Sequence, residues 1–230
     1  MTDTGPSEKN EAAVERIEFD ALPNSLPIFP LAGVLLLPGG RLPLNIFEAR
    51  YLAMTRDALA GNKLIGMVQP IDPRSRAQKP DVYRVGCAGR ITASEETGDG
   101  RILITLAGLC RFNLIDELTT TTPYRQVSAS FARYRPDLDP VPADEIDRER
   151  LLRALRDFVA ANRLQVEWPS VEQAPNDILI NSLAMLCPFA PNEKQALLEA
   201  ANLGERARVM TTLIEMALLN RGGAGDKPLH

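Results

Sequence analysis

Histidine is almost absent from this chain: its 230 residues include one, His230, at the end of a Gly-rich tail. A terminal histidine cannot serve an ordered Ser-His-Asp triad, a Cys-His dyad or a His-based metal site. Cysteine is scarce too, with Cys87, Cys110 and Cys187 showing no CxxC spacing. The sequence therefore predicts no zinc site and no disulfide framework. We expect no catalytic residue, no cofactor and no metal.

The chain also lacks a long apolar run and an excess of basic residues. Its longest apolar stretch, residues 31–37, is far too short to span a bilayer, and the amino-terminal residues are polar without an apolar signal core. The net charge is -4 and the pI is about 5.2, whereas nucleic-acid binding normally shows a basic footprint. We therefore predict a cytoplasmic protein that has no membrane partner and for which nucleic acid is disfavoured.

Hydrophobic residues make up 45% of the chain, and their spacing follows two successive patterns along the sequence. Up to residue 134, short apolar runs alternate with prolines and turn signals, which is typical of short strands. One helix is predicted over residues 48–60, where apolar positions recur at helical spacing and Gly61 provides a stop. A strand is expected at residues 63–69. The first half is thus predicted to be mostly antiparallel β with one helix.

The clearest local signal is a β-hairpin around the turn Thr97-Gly98-Asp99-Gly100. If Glu96 faces Arg101, Ile91 lies opposite Leu106 and apolar residues meet on one face of the hairpin. The same register places Cys87 opposite Cys110, and it leaves Leu103 on the polar face opposite Ser94.

A segment of three prolines and two acidic residues ends the first half and is typical of a linker. The second half is predicted to be helical, because its apolar residues recur at helical spacing and charged residues occupy the opposite face. One of its helices is expected to start at Asn192, where Gln195 completes a capping-box-like pattern. The predicted boundaries are a disordered leader over residues 1–25, a β subdomain over 26–134, a Pro-rich linker over 135–143, a helical subdomain over 144–220 and a flexible tail over 221–230.

Three segments resemble the amino-terminal, substrate-binding domain of Lon protease: LPIFPL at residues 26–31, LLPGGRLPLNIFEARY at 36–51 and VGCAGRI at 85–91. The resemblance implies a PUA-like β pseudobarrel followed by a helical bundle, an α+β fold, and a role in binding rather than in catalysis. Lon also has an ATPase module and a Ser-Lys peptidase module, but no GxxxxGK[ST] motif occurs here. We expect a stand-alone Lon-domain protein that lacks both modules.

The residues that carry the family motif have two interpretations, a recognition surface or a fold junction, and we favour the junction. Glu48 is placed at a helix start, where a carboxylate complements the helix dipole. Phe47 and Tyr51 are four residues apart, which predicts a hydrophobic staple between strand and helix. The motif residues are Phe29, Pro30, Pro43, Phe47, Glu48, Arg50 and Tyr51.

Cys87 and Cys110 form a possible thiol pair, since the predicted register brings them within the reach of a disulfide. A redox switch is one interpretation. A pair of buried thiols is favoured, because the cytosol is reducing. Ser182, Cys187 and Lys63 are the nominal nucleophiles, and none has a recognisable base partner in the sequence.

The only basic concentration beside β structure comprises Arg74, Arg76, Lys79, Arg84 and Arg90. Because PUA-like folds can bind RNA, this region supports an alternative function, an RNA or small-ligand binder. The negative net charge and an aromatic content of 5% argue against RNA.

The primary hypothesis is a non-enzymatic module that engages unfolded or extended polypeptide segments, or a partner protein, in an adaptor or chaperone-like role. Exposed apolar surface is the expected means of binding. The sequence offers three candidates: Val34 to Leu37, a groove between the β half and the helices, and an apolar stripe on the last helix. The oligomeric state is left open.

Overall fold

The computed structural model describes residues 17–140 and 146–222. Its strands are β1 (Ser25–Pro30), β2 (Arg41–Ile46), β3 (Leu64–Val68), β4 (Val85–Glu96), β5 (Ile102–Glu117) and β6 (Gln126–Ser130). Its helices are α1 (Ala49–Ala60), α2 (Arg148–Asn162), α3 (Trp168–Gln173), α4 (Asn176–Leu186), α5 (Pro191–Glu199) and α6 (Leu203–Gly222), and two 3-10 segments span Phe19–Ala21 and Ala132–Leu138. Strands with one helix are followed by helices, which confirms the predicted α+β class.

The strands form one sheet in the order β2-β5-β4-β3-β1-β6, and an additional pairing of β5 with β6 closes it. The length of β5 makes this closure feasible: positions 102–107 pair with β2, and positions 113–117 pair with β6. All the pairings are antiparallel except that of β1 with β3. Five strands thus close a barrel, and β2 remains outside it as an edge strand.

The register of the β4–β5 hairpin differs from the sequence prediction at most positions. Ile91 lies opposite Leu106, as predicted, but Cys87 lies opposite Arg111 rather than Cys110. The turn is one residue longer than predicted, and a register shift occurs on each side of the Ile91–Leu106 pair. Each β-bulge inserts one unpaired residue, so the pairing moves by one position.

The loop between β1 and β2 packs across β4 and β5 rather than facing solvent. Leu35, Leu36 and Leu37 are at most 2% exposed, so the Leu-rich stretch that was a candidate binding surface belongs to the core. Gly108 permits the close approach of this loop, because a Cβ at that position would lie 2.0 Å from the Leu37 carbonyl oxygen.

The helices α2, α4 and α5 each contribute buried residues to the core, and α2 packs against α6. The start of α2 is capped by Asp147, whose side chain accepts a hydrogen bond from the Arg150 N–H. The start of α5 differs from the prediction: the Ala190 N–H donates to the Glu193 carboxylate, and Asn192 lies inside the helix. The short helix α3 was not predicted. No helix in the described ranges is both long and apolar enough to cross a membrane.

The described structure begins before the predicted start of the β subdomain at residue 26. Ile17, Phe19 and Leu22 are partly buried against the core. Four residues of the predicted linker, 135–138, belong to the second 3-10 segment. Residues 1–16, 141–145 and 223–230 of the predicted leader, linker and tail lie outside the described ranges.

Candidate functional site

The family motif forms a stack of side chains beside the start of α1. The centroids of the Tyr51 and Phe29 rings lie 4.2 Å apart. The Cζ atom of the Arg50 guanidinium lies 4.5 Å from the centroid of the Tyr51 ring. Arg50 also pairs with Glu48 at 2.9 Å. Burial raises the pKa of Tyr51, against the opposing effect of Arg50. Since these four side chains contact one another, we propose that they act structurally.

A groove of about 400 Å³ lies next to this stack. It is lined by residues that include Pro30, Arg50, Tyr51, Lys79, Glu117 and Arg125. Its cations have carboxylate partners: Glu117 lies 3.7 Å from Lys79 and 2.9 Å from Arg125, and Glu48 pairs with Arg50. The groove therefore offers little net positive charge to an anion.

The five cations of the predicted basic region occupy different environments. Arg74 and Arg76 are exposed in the loop between β3 and β4, whereas Lys79 faces Glu117 in the groove. Arg84 donates a hydrogen bond to the Ile115 carbonyl at 2.8 Å. Arg90 is half-buried within β4, between its partners on β3 and β5.

The register predicted for the thiol pair is wrong. Cys87 and Cys110 are both fully buried and free, but Cys110 lies opposite Ala88, not opposite Cys87. The two cysteines are therefore not directly opposite each other across the strands. Burial raises the pKa of Cys87, and it raises the pKa of Cys110 to about 12. Both thiols are therefore protonated at neutral pH and are poor nucleophiles.

The nominal nucleophiles of the second half also lack an activated environment. Burial raises the pKa of Cys187 to about 11, and Ser182 is exposed on α4. Within residues 17–140 and 146–222, no group of three or more His, Cys, Asp or Glu side chains has the arrangement of a metal site.

Pro43, Ala93 and Leu103 are exposed on one face of the β2–β5–β4 sheet, and the exposed Phe47 directly follows the last residue of β2. We call these four residues the β2 face. Phe47 is 64% exposed and Leu103 is 41% exposed. The staple predicted between Phe47 and Tyr51 is therefore not a buried contact, and Phe29 provides the ring that packs on Tyr51. Leu103 lies on the polar side of the hairpin as predicted, although its partner is Glu95.

The β2 face borders the outer edge of β2 and a shallow depression. The depression has a volume of about 470 Å³, and its lining includes Pro43, Ala93 and Leu103. The Gly108 N–H donates to the Gly40 carbonyl at 2.8 Å. By alternation, the backbone groups of positions 41, 43 and 45 then point away from β5. In the described ranges, no strand pairs with β2 on that side.

A second cavity, of about 280 Å³, lies where the barrel meets the helices. We call it the junction cavity, and its lining includes Arg111, Tyr134, Asp137, Asn181, Leu203 and Arg206. It occupies the predicted cleft between the two halves. Its volume falls near the lower limit for small-molecule pockets, so it is too small for an extended chain.

A buried ion pair forms one wall of the junction cavity. Arg111 contacts Asp137 at 2.7 Å, and their side chains are 6% and 8% exposed. The same guanidinium donates to the carbonyls of Leu198 at 3.0 Å and Ala200 at 2.6 Å, across the boundary between β5 and the helices. Burial is the largest single effect on the pKa of Arg111 and lowers it. The hydrogen bonds and the negative charge of Asp137 outweigh burial, so the pKa of Arg111 is raised.

Sequence reasoning missed the charged residues of this cavity. The sequence does carry a signal for Arg111, because it is the only charged residue in the mostly apolar stretch from Ile102 to Phe112. A cation in such a run indicates a buried partner. Asp137 and Arg206 had none, because charged residues at a proline-rich turn and on an amphipathic helix are usually solvated.

Comparison with known proteins agrees with this architecture. The family model described as the ATP-dependent protease La (LON) substrate-binding domain matches residues 25–216. Among curated proteins, the chain is 30% identical to a Lon protease of Flavobacterium johnsoniae over 84% of its length, and 28% identical to that of Dictyoglomus thermophilum over 83%. In both cases it spans 24% of the relative.

Two solved structures are similar to this fold. A Lon N-terminal domain protein from Xanthomonas campestris is 25% identical, with a TM-score of 0.56 over 82% of this chain and 97% of that structure. The N-terminal domain of a Mycobacterium avium complex Lon protease is 15% identical, with a TM-score of 0.59 over 83% and 98% respectively. The second likeness concerns the fold alone. The match of the family model over most of the chain shows that this protein belongs to the Lon substrate-binding domain family.

Proposed function

We propose that this protein is a non-enzymatic module that binds extended or unfolded polypeptide segments at the β2 face. Membership of the substrate-binding domain family supports a role in polypeptide binding. The observation that carries the proposal is the exposure of Phe47, 64%, directly after β2, whose outer edge pairs with no strand of the described residues. A large aromatic side chain in solvent is costly, and exposed apolar groups that cluster beside one another commonly mark a binding surface.

An extended segment matches this surface in two ways. Its backbone can pair with the outward-facing groups of β2, as in binding by strand addition, while its apolar side chains contact Phe47 and Leu103. Pro43 lies at an outward-facing position and has no N–H to donate, which limits the ladder that can form there. This arrangement favours short, reversible contacts with varied sequences.

Apolar contact is expected to dominate the affinity. Burying an aromatic or leucine side chain contributes about 1.5–3 kcal/mol, so each of Phe47 and Leu103 is expected to change the dissociation constant by about tenfold or more. The apolar contribution depends little on ionic strength. Binding to an RNA, by contrast, weakens steeply as salt rises.

An adaptor or chaperone-like role in the cytosol is the biological setting that we propose. Three buried, free cysteines are compatible with a reducing compartment. Absence of catalysis is part of the proposal: the matched family is a substrate-binding domain, and the buried thiols have raised pKa values.

The test uses fluorescein-labelled α-lactalbumin that has been reduced and carboxymethylated, so that it stays unfolded. Fluorescence anisotropy of this probe should show saturable binding that persists at high salt. The F47S and L103S variants should each bind about tenfold more weakly. I71S is the matched control, since Ile71 is 54% exposed in the loop after β3, and it should bind as the wild type does. Equal binding by F47S and I71S would refute the β2 face as the site.

A further inference from the structure

Arg206 is a buried cation that contacts no carboxylate of the described part of the chain. Its side chain is 5% exposed, and it donates to the Leu197 carbonyl at 2.9 Å and to the Asn181 amide oxygen at 3.0 Å. Within the described ranges, no carboxylate lies at ion-pair distance from it. Buried guanidinium groups normally contact an anion, because desolvation of an unpaired charge is expensive.

The surroundings of Arg206 oppose its charge in three ways. Burial lowers its pKa most, and the neighbouring Arg111 lowers it further, to about 10. Arg206 also lies in the first turns of α6, where the helix dipole disfavours a cation. Asp137 attracts Arg206, but both carboxylate oxygens of Asp137 already accept hydrogen bonds from Arg111. At neutral pH, one buried carboxylate therefore serves two buried guanidinium groups.

The wall of the junction cavity carries two further groups without partners. The Nη2 atom of Arg206 donates no hydrogen bond to any described residue, although its other two nitrogens do. The Tyr134 hydroxyl is buried and has no hydrogen-bond partner in the described part of the chain. Buried polar groups are almost always hydrogen-bonded, so the unpartnered Tyr134 hydroxyl suggests an absent ligand, and Arg206 Nη2 is a donor on the same wall that could reach it.

The charges at the rim limit the kind of anion that fits. Arg133, Asp139 and Glu199 line the cavity and are exposed. The two carboxylates at the rim repel polyanions, whereas a single negative charge can reach the excess positive charge deeper in the cavity. Ala201 and Leu203, at the start of α6, also line it, and a helix start favours an anion.

We propose that the junction cavity binds the carboxylate group of a small organic monoanion, with Arg206 as the principal donor. The carboxylate belongs either to a free short-chain acid or to the carboxyl terminus of a polypeptide. A volume of about 280 Å³ lies just below the usual range of small-molecule pockets, so the group that carries the carboxylate must be small. This site is separate from the β2 face, and its existence does not depend on polypeptide binding there.

Two-dimensional ¹H–¹⁵N NMR of the wild-type protein tests the proposal directly. Sodium butyrate, added at constant ionic strength, should produce saturable shifts at the Ala201 and Leu203 amides and at the Arg206 Nε–H, with a midpoint of about 1 mM or below. Butyramide has the same shape without the charge and should produce none. A second pair of probes, acetyl-Ala-Gly-Val as the free acid and as the amide, distinguishes a polypeptide terminus from a free acid.

The R206M variant provides the independent test. Binding of butyrate or of the free-acid peptide should weaken at least about tenfold, because a charged hydrogen bond is lost. R156M is the matched control, since Arg156 is an exposed arginine on α2 that pairs with Glu172, and it should bind normally. Absence of saturable shifts with both acids up to about 10 mM, equal shifts with butyramide, or undiminished binding by R206M would each overturn the proposal. If R206M does not fold, the comparison of butyrate with butyramide decides.

Discussion

Replacing Asp137 with alanine removes the only carboxylate in the described ranges that contacts the buried Arg111. The Asp137 carboxylate accepts from Nε and Nη2 of Arg111 and from its backbone N–H, at 2.9, 2.7 and 2.9 Å respectively. Breaking a buried ion pair from one side typically costs about 3–5 kcal/mol, because the other charge is left unpaired in a low-dielectric environment. D137A should therefore lower the free energy of unfolding by that amount.

The location of this ion pair adds a second expectation. Arg111 connects β5 to the carbonyl groups of Leu198 and Ala200. D137A should thus weaken the junction between barrel and helices, and its urea unfolding should become less cooperative, with a smaller m-value. The R111M/D137L double variant replaces the pair with apolar groups and should recover most of the lost stability.

Urea denaturation followed by circular dichroism measures both effects. The control is E172A, which removes a pair with Arg156 whose side chains are 47% and 53% exposed. An exposed pair contributes at most about 1 kcal/mol. If D137A loses no more stability than E172A, the buried pair does not hold the junction and the reasoning is refuted.

Three further predictions concern the barrel, the thiols and an alkaline titration. G108A should destabilise the protein by at least about 2 kcal/mol, because a Cβ at that position would lie 2.0 Å from the Leu37 carbonyl oxygen. G98A is the control in the same urea assay, since a Cβ at Gly98 would have no atom within 4 Å. Equal losses of stability in the two variants would contradict the packing of the loop between β1 and β2. The three cysteines should react with Ellman's reagent only on unfolding, since burial raises their pKa values; rapid reaction of the native protein at pH 8 would contradict this. Burial and a 2.7 Å hydrogen bond to Asp57 raise the pKa of Tyr124 to about 12. The folded state therefore binds the Tyr124 proton more tightly than the unfolded state does. The stability that this proton contributes is retained below pH 10 and is lost between about pH 10 and 12. Y124F should flatten this alkaline loss in urea titrations, and an unchanged slope would contradict the assignment.

The sequence predicted those parts of the fold that depend on local signals. The helix α1 was predicted within one residue at its start, because Gly61 and the apolar spacing act within a few turns. The β4–β5 hairpin was predicted from its turn. Its register was missed because the turn is one residue longer than predicted and because each strand carries one register shift, neither of which leaves a signal in a regular alternation of side chains.

The candidate sites depended on contacts between distant residues, which a pattern along the chain does not reveal. Phe47 was interpreted as a staple from its spacing to Tyr51, but Phe29 from β1 takes that position. The junction cavity joins residues that are far apart in the sequence, from Pro38 through Arg111 to Arg206. In the sequence, Arg206 has the pattern of an ordinary polar-face residue of α6, and only the fold brings it into the same cavity as Arg111 of β5.

Site-specific photo-crosslinking tests the central claim, that the β2 face binds polypeptide segments. Benzoylphenylalanine would replace Phe47, Leu103 or, as a control, Ile71, whose exposure of 54% lies between those of the other two. Irradiation with reduced, carboxymethylated α-lactalbumin should give crosslinks from positions 47 and 103 that persist at high salt, and few from position 71. Crosslinks of equal yield from position 71, or none from positions 47 and 103, would contradict the account.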